Sequence, residues 1–146
     1  MSHIPASVRD FLDRFCQWAR GRPDIDAVAL VGSYARGAAG KESDVDLVIL
    51  TSHLERYFGD QSWVSTFGEA AETREENWGK AQSLRVFYKN ELEIEYSFAL
   101  PAWAESPLDS GTVQVVSKGI KILFDPRGIL AKLQREVCAT LGPGEK

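Results

Sequence analysis

VALVGSYARGAAGKESDVDLVIL, residues 28–50, is the stretch that decides how this chain folds. It begins as an apolar run, Ala27 to Val31, breaks at Gly32-Ser33, crosses a segment of small residues, and resumes as a second apolar run broken by Asp44 and Asp46. Side chains alternate between the two faces of an extended strand, so Asp44 and Asp46 share one face while Val45 and Leu47 take the other. Two carboxylates about 7 Å apart at the head of a buried strand repel each other and resist desolvation. A divalent cation relieves both costs. Paired hard oxygens suit Mg²⁺, which keeps several waters and is commonly held by one or two carboxylates together with substrate phosphates.

The glycine-serine turn upstream supplies the complementary half. Gly32 lets backbone approach a ligand, and the amides of Ser33 and Tyr34, with the Ser33 hydroxyl, can donate to phosphate oxygens. Arg36 and Lys41 are the cations nearest such phosphates, although each also reads as a surface cation beside Glu42. Ser43 is placed to orient Asp44 by a hydrogen bond, and turn chemistry alone also favours serine there.

At 146 residues the chain has the length of one ordinary domain. A formal charge of −4 without a Lys/Arg block argues against nucleic-acid binding through a broad basic surface. No apolar segment is long enough to span a bilayer, and the first residues lack a basic-then-apolar export pattern, so a cytoplasmic protein is expected. Two cysteines, Cys16 and Cys138, suggest neither a disulfide framework nor a metal site.

Taken in order, Ser7 to Asp10 resembles a capping box. Val8, Phe11, Leu12, Phe15 and Ala19 then predict an amphipathic helix over 8–20. Ile25 to Val31 is a strand apolar enough to be covered on both faces, hence central. Residues 34–39 are expected to form a short helix aimed at the phosphate site, followed by a strand over 45–50. Residues 51–69 read as broken helix, and the polar stretch 69–80 as an edge strand or exposed loop. A hairpin over 82–88 and 91–99 puts Leu92, Ile94, Tyr96 and Phe98 on one face and Glu91, Glu93, Glu95 and Ser97 on the other. Residues 112–117 fit a short helix or a strand, 120–124 a strand, and Ile129, Leu130, Leu133, Val137 and Leu141 mark a final helix. Trp63, Trp78 and Trp103 each read either as core residues or as platforms for a base.

Gly32-Ser33-x-Ala35-Arg36-Gly37 followed by Ser43-Asp44-x-Asp46-Leu47 resembles the signature of the nucleotidyltransferase superfamily related to DNA polymerase beta, in the version seen in minimal and antibiotic nucleotidyltransferases. The resemblance implies an α/β (α+β) fold, a mixed sheet flanked by helices in a single domain over 1–146. It also implies a third carboxylate on a neighbouring strand, in an apolar-acid-apolar pattern. Glu93 and Glu95 both satisfy that pattern but lie about 7 Å apart, too far for both to enter a two-metal site of about 4 Å spacing. Glu95, deeper in the apolar run, is the expected ligand, with Glu93 behind it or merely solvated.

The activity implied by the resemblance is transfer of a nucleotidyl group, AMP from ATP or from another nucleoside triphosphate, to an acceptor hydroxyl with release of pyrophosphate. Two Mg²⁺ ions on Asp44, Asp46 and Glu95 would activate the hydroxyl and steady the leaving group, while Gly32 and Ser33 hold the outer phosphates. Antibiotic and RNA-modifying relatives carry a further domain for the acceptor. In its place this chain would use a second subunit, as a homodimer, or a helical partner protein. Small-molecule adenylylation of the antibiotic-resistance kind, an antitoxin that neutralises a HEPN-like toxin by binding, and a degenerate nucleotide binder are the alternatives.

Overall fold

The structure is a computed structural model describing residues 4–37, 44–78, 81–105 and 108–141. Along the chain run α1 (Ala6–Arg20), β1 (Ile25–Val31), β2 (Val45–Thr51), α2 (Leu54–Gly59), a 3-10 turn (Ser62–Phe67), β3 (Ala70–Trp78), β4 (Ala81–Tyr88), β5 (Glu93–Ala99), a 3-10 turn (Pro101–Ala104), α3 (Ser110–Lys118), β6 (Lys121–Phe124) and α4 (Ile129–Leu141). The strands make one sheet in the order β3-β4-β5-β2-β1-β6. β2 and β5 pair in parallel, and every other neighbouring pair is antiparallel. This is the mixed sheet with flanking helices that the sequence leads one to expect.

Outside the largely exposed edge strand β3, period-two alternation divides the strands between two cores. Val28, Leu30, Leu47, Ile49, Leu84, Val86, Ile94, Tyr96 and Phe98 face α1, α2 and the first 3-10 turn. There Phe11, Phe15, Trp63 and Phe67 close around Tyr96 and Phe98 with ring centroids 4.8–6.4 Å apart. Trp63 is a core residue, 4% exposed, whose indole donates to the Tyr57 carbonyl. Ala27, Ala29, Val31, Val48, Leu50 and Ala99 face the other way, toward Trp103, Val116, Leu130, Leu133 and Val137. β1 therefore lies between two packed layers, which explains its unbroken apolar run.

Two local expectations are corrected, and one alternative is decided. α1 starts one residue ahead of Ser7, with Pro5 at its N-cap and no side-chain cap, so the capping box does not form. The described part of the expected 34–39 helix is instead a turn, in which the amides of Ala35 and Arg36 close onto the Gly32 carbonyl between positive-φ glycines at 32 and 37. Residues 112–117 resolve as helix, because the Asp109 carboxylate caps Gly111 and Gly119 ends α3 with a left-handed φ of 131°. Their valines pack as a helical face rather than a strand, a case of tertiary contact overriding β-propensity.

Candidate active site

Strand register brings the acids together. Val31 lies opposite Asp46, Asp46 opposite Glu95, and Glu95 opposite Arg85, so one row across β1, β2, β5 and β4 carries two carboxylates and a guanidinium on the same face. Asp44 stands one pleat further on. Asp44, Asp46 and Glu95 each present an oxygen within 4.8 Å of the other two. Glu93 lies outside that group, so of the two glutamates in β5 it is Glu95 that approaches the aspartates.

Gly32 follows Val31 directly, at φ 76°, and a Cβ at this position would run into the Asp46 carboxylate. The glycine is therefore required twice, for its backbone conformation and for the close approach. The turn's own hydrogen bonds use the amides of Ala35 and Arg36, not those of Ser33 and Tyr34. Arg36 packs against the end of α3, where a side chain on Gly119 would sit 3.4 Å from the Arg36 Cβ. Lys41 and Ser43 lie outside the described residues.

The electrostatics of the cluster are unbalanced. Burial, reinforced by Asp44 and Glu95, pushes the Asp46 carboxyl up to about 8. Its Oδ1 is buried and has no hydrogen-bond partner among the described residues. An orphaned buried oxygen beside two further carboxylates, with a glycine leaving room in front, is a set of hard donors that fits Mg²⁺.

Arg85 is a functional candidate that the residue pattern alone did not single out. Its Nη1 donates to Asp44 Oδ2 and to Glu93 Oε2, both at 2.7 Å, and its Nη2 donates to Glu95 Oε1 at 2.7 Å. The signal was present in the alternation of β4, where Arg85 between Leu84 and Val86 must point to the face that carries Glu93 and Glu95. Fixing which residue it opposes required the register.

A cleft of about 460 Å³ opens beside the row, lined by Gly32, Arg36, Asp46 and Glu95 on one side and by Trp103 and residues of α3 including Gln114 and Lys118 on the other. Trp103 is both a core residue and part of this wall, 8% exposed, and its carbonyl accepts from Thr112. The side chain of Trp78 lies outside the described set. Among the described residues Lys118 joins Arg36 as a cation of the cleft, one that the helix-or-strand ambiguity of its segment had hidden.

Residues 8–101 match the family Nucleotidyltransferase domain, and the chain belongs to it. No curated protein sequence matches the chain significantly. Among solved structures it is similar in fold to an aminoglycoside 6-adenyltransferase from Bacillus subtilis, at 14% identity and a TM-score of 0.57, over 71% of this chain and 38% of that one. Cid1 in complex with its short product ApU aligns at 24% identity and a TM-score of 0.44, over 63% of this chain and 29% of that one. A toxin-antitoxin structure with AMP-PNP aligns at 14% identity and a TM-score of 0.44, over 92% of this chain and 83% of that one. This chain thus spans well under half the length of the first two. No helix among the described residues is long and apolar enough to cross a membrane.

Proposed function

We propose that this chain is a Mg²⁺-dependent nucleotidyltransferase that moves AMP from ATP onto an acceptor hydroxyl. The convergence of Asp44, Asp46 and Glu95 opposite the Gly32-Ser33 turn carries this reading. Bound at those carboxylates, the metal would supply Lewis acidity to the reacting phosphoryl group and to the attacking hydroxyl. The Ser33 and Tyr34 amides and the Ser33 hydroxyl hold the outer phosphates, and Arg36 with Lys118 offsets their charge from the cleft side. Lys41 and Ser43 are candidates for the same task.

In the transfer the acceptor oxygen forms a bond to the α-phosphorus, the α–β anhydride bond breaks, and pyrophosphate leaves with the electron pair. Glu95, which lines the cleft, takes the hydroxyl proton. Rate comes mainly from positioning and from charge set in place beforehand. Asp109 on the cleft wall and the chain's net charge of −4 support a cationic, hydroxylated small molecule of the aminoglycoside kind as acceptor.

The test is label transfer. ATP labelled at the α-phosphate should pass its label to an acceptor in the presence of Mg²⁺, whereas label at the γ-phosphate should appear only in pyrophosphate. Movement of the γ-label to the acceptor would make the protein a kinase. Label on a co-purifying protein, and on no aminoglycoside, would shift the acceptor class to a partner protein.

A further inference from the structure

The guanidinium of Arg85 occupies the place where the acid cluster most needs positive charge, and it does so on ligands the metal would also require. It bonds two members of the triad, Asp44 and Glu95, and leaves the third, Asp46, with a buried oxygen that has no hydrogen-bond partner among the described residues. The same Nη1 that reaches Asp44 also reaches Glu93, which stands outside the metal-ligating group. Behind them Glu76 lies 3.9 Å from the Arg85 Nε. The guanidinium thus bonds two metal ligands and one acid that is not a ligand, with a second such acid, Glu76, at ion-pair distance.

We propose that Arg85 is a resident counter-ion of the metal site: it neutralises Asp44 and Glu95 while no cation is present, and Glu93 and Glu76 retain it when a divalent ion takes those ligands. This role rests on the proposed metal site and adds to it a competitor and a holding position. The physical ground is like-charge repulsion. A guanidinium hydrogen-bonded to two of three ligands lies close enough to a divalent ion in their midst to oppose it. Arg85 is fixed from behind by β4, whose Leu84 and Val86 are fully buried on the opposite face, so the adjustment belongs to its side chain and not to the strand. Glu93 thereby acquires a role distinct from that of Glu95, two residues along the same face. Arg85 is a positioning residue in this scheme and makes no contact with substrate.

Titration with Mn²⁺ alone, followed by electron paramagnetic resonance on nucleotide-free protein, separates the possibilities. Arg85→Gln should bind Mn²⁺ more tightly than wild type by roughly tenfold, the scale of removing one neighbouring charge. Arg85→Lys, which keeps the charge and loses the planar fork, should fall between them. Glu93→Gln, which weakens the holding position, should bind Mn²⁺ more weakly than wild type. An Arg85→Gln protein that binds Mn²⁺ equally or more weakly shows that Arg85 merely orients the ligands, and overturns the proposal. If that variant does not fold, unchanged binding by Glu93→Gln overturns it as well. Wild-type protein that binds no Mn²⁺ at all brings down the metal site itself, an outcome distinct from a site that binds without regard to Arg85.

Discussion

The two faces of the sheet are built from the same strands and do opposite things. In β5, Ile94, Tyr96 and Phe98 are fully buried among the rings of α1 and the first 3-10 turn, while Glu93, Glu95 and Ser97 alternate with them on the side of the cleft. The aromatic face pairs the polar atoms it buries: Tyr88 donates to the Val64 carbonyl and shares a hydrogen bond with Tyr96. Among the described residues the side with the acids leaves two buried carboxylate oxygens without a hydrogen-bond partner, on Asp46 and Glu76, and four acids gather around one guanidinium. Both faces carry a packed core, but unmet bonding capacity gathers on the second. A site that must accept a cation and a triphosphate has to leave some of its own groups unpaired, and the opposite core stabilises the strands that hold them there.

The sharpest way to test that division is to remove one ligand. Asp44→Asn should reduce nucleotidyl transfer by roughly 10³-fold or more while barely changing the denaturation midpoint in EDTA. A large loss of stability instead would place Asp44 among the structural residues. The mirror experiment is Phe15→Ala, which opens a cavity between Phe67 and Tyr96. It should cost about 3–5 kcal/mol in urea unfolding and leave Mn²⁺ affinity of the folded fraction unchanged.

Asp46 offers a test by pH. Its carboxyl is raised on folding, so the folded state holds a proton that the unfolded chain gives up, and metal-free stability should fall as pH rises from the ordinary carboxyl range through about 8. Asp46→Asn cannot ionise. In EDTA at pH 9 it should be more stable than wild type by roughly 1–3 kcal/mol, the cost of one unsatisfied buried group. Below the ordinary carboxyl range the difference should vanish, and added Mg²⁺ should reverse the order, because an amide is a poor substitute for an anionic ligand. Thermal melts across this pH series, with and without Mg²⁺, read all three outcomes.

The smallest effect is expected at Asp24, on the aromatic side. Burial opposes its ionisation, but hydrogen bonds from Tyr57 and Arg56 outweigh that and hold its carboxyl below the usual range. The resulting stability is present above the ordinary carboxyl pKa and disappears as pH falls through the lowered one. Tyr57→Phe should therefore lose about 1 kcal/mol at pH 7 and show a shrinking difference from wild type toward pH 3, measured by urea unfolding.

Much of this division is legible in the residues themselves. Alternation in VDLVIL and in EIEYSFA places the acids on one face and the aliphatic and aromatic side chains on the other, since slippage by one residue would invert both faces at once. The same pattern names Asp44 and Asp46, and Gly32 announces a close approach; the third carboxylate was asked for by the family resemblance, and the alternation of β5 offers Glu93 and Glu95 alike. Local pattern failed where structure depends on what packs nearby. The turn at 33–37 has helix-compatible residues but closes between two left-handed glycines, and the valines of α3 suit a strand until Trp103 and α4 give them a helical surface to cover.

What the sequence determined by itself was the period of each element and the chemistry of each face, because both arise from neighbours within a few residues along the chain. Which face meets which was decided only by the sheet. Parallel pairing of β2 with β5 joins Asp46 to Glu95, and antiparallel pairing of β5 with β4 joins Glu95 to Arg85. No local rule encodes those partners. Register between distant strands is set by burying both apolar faces together, and the charge balance at the site is a consequence of that register.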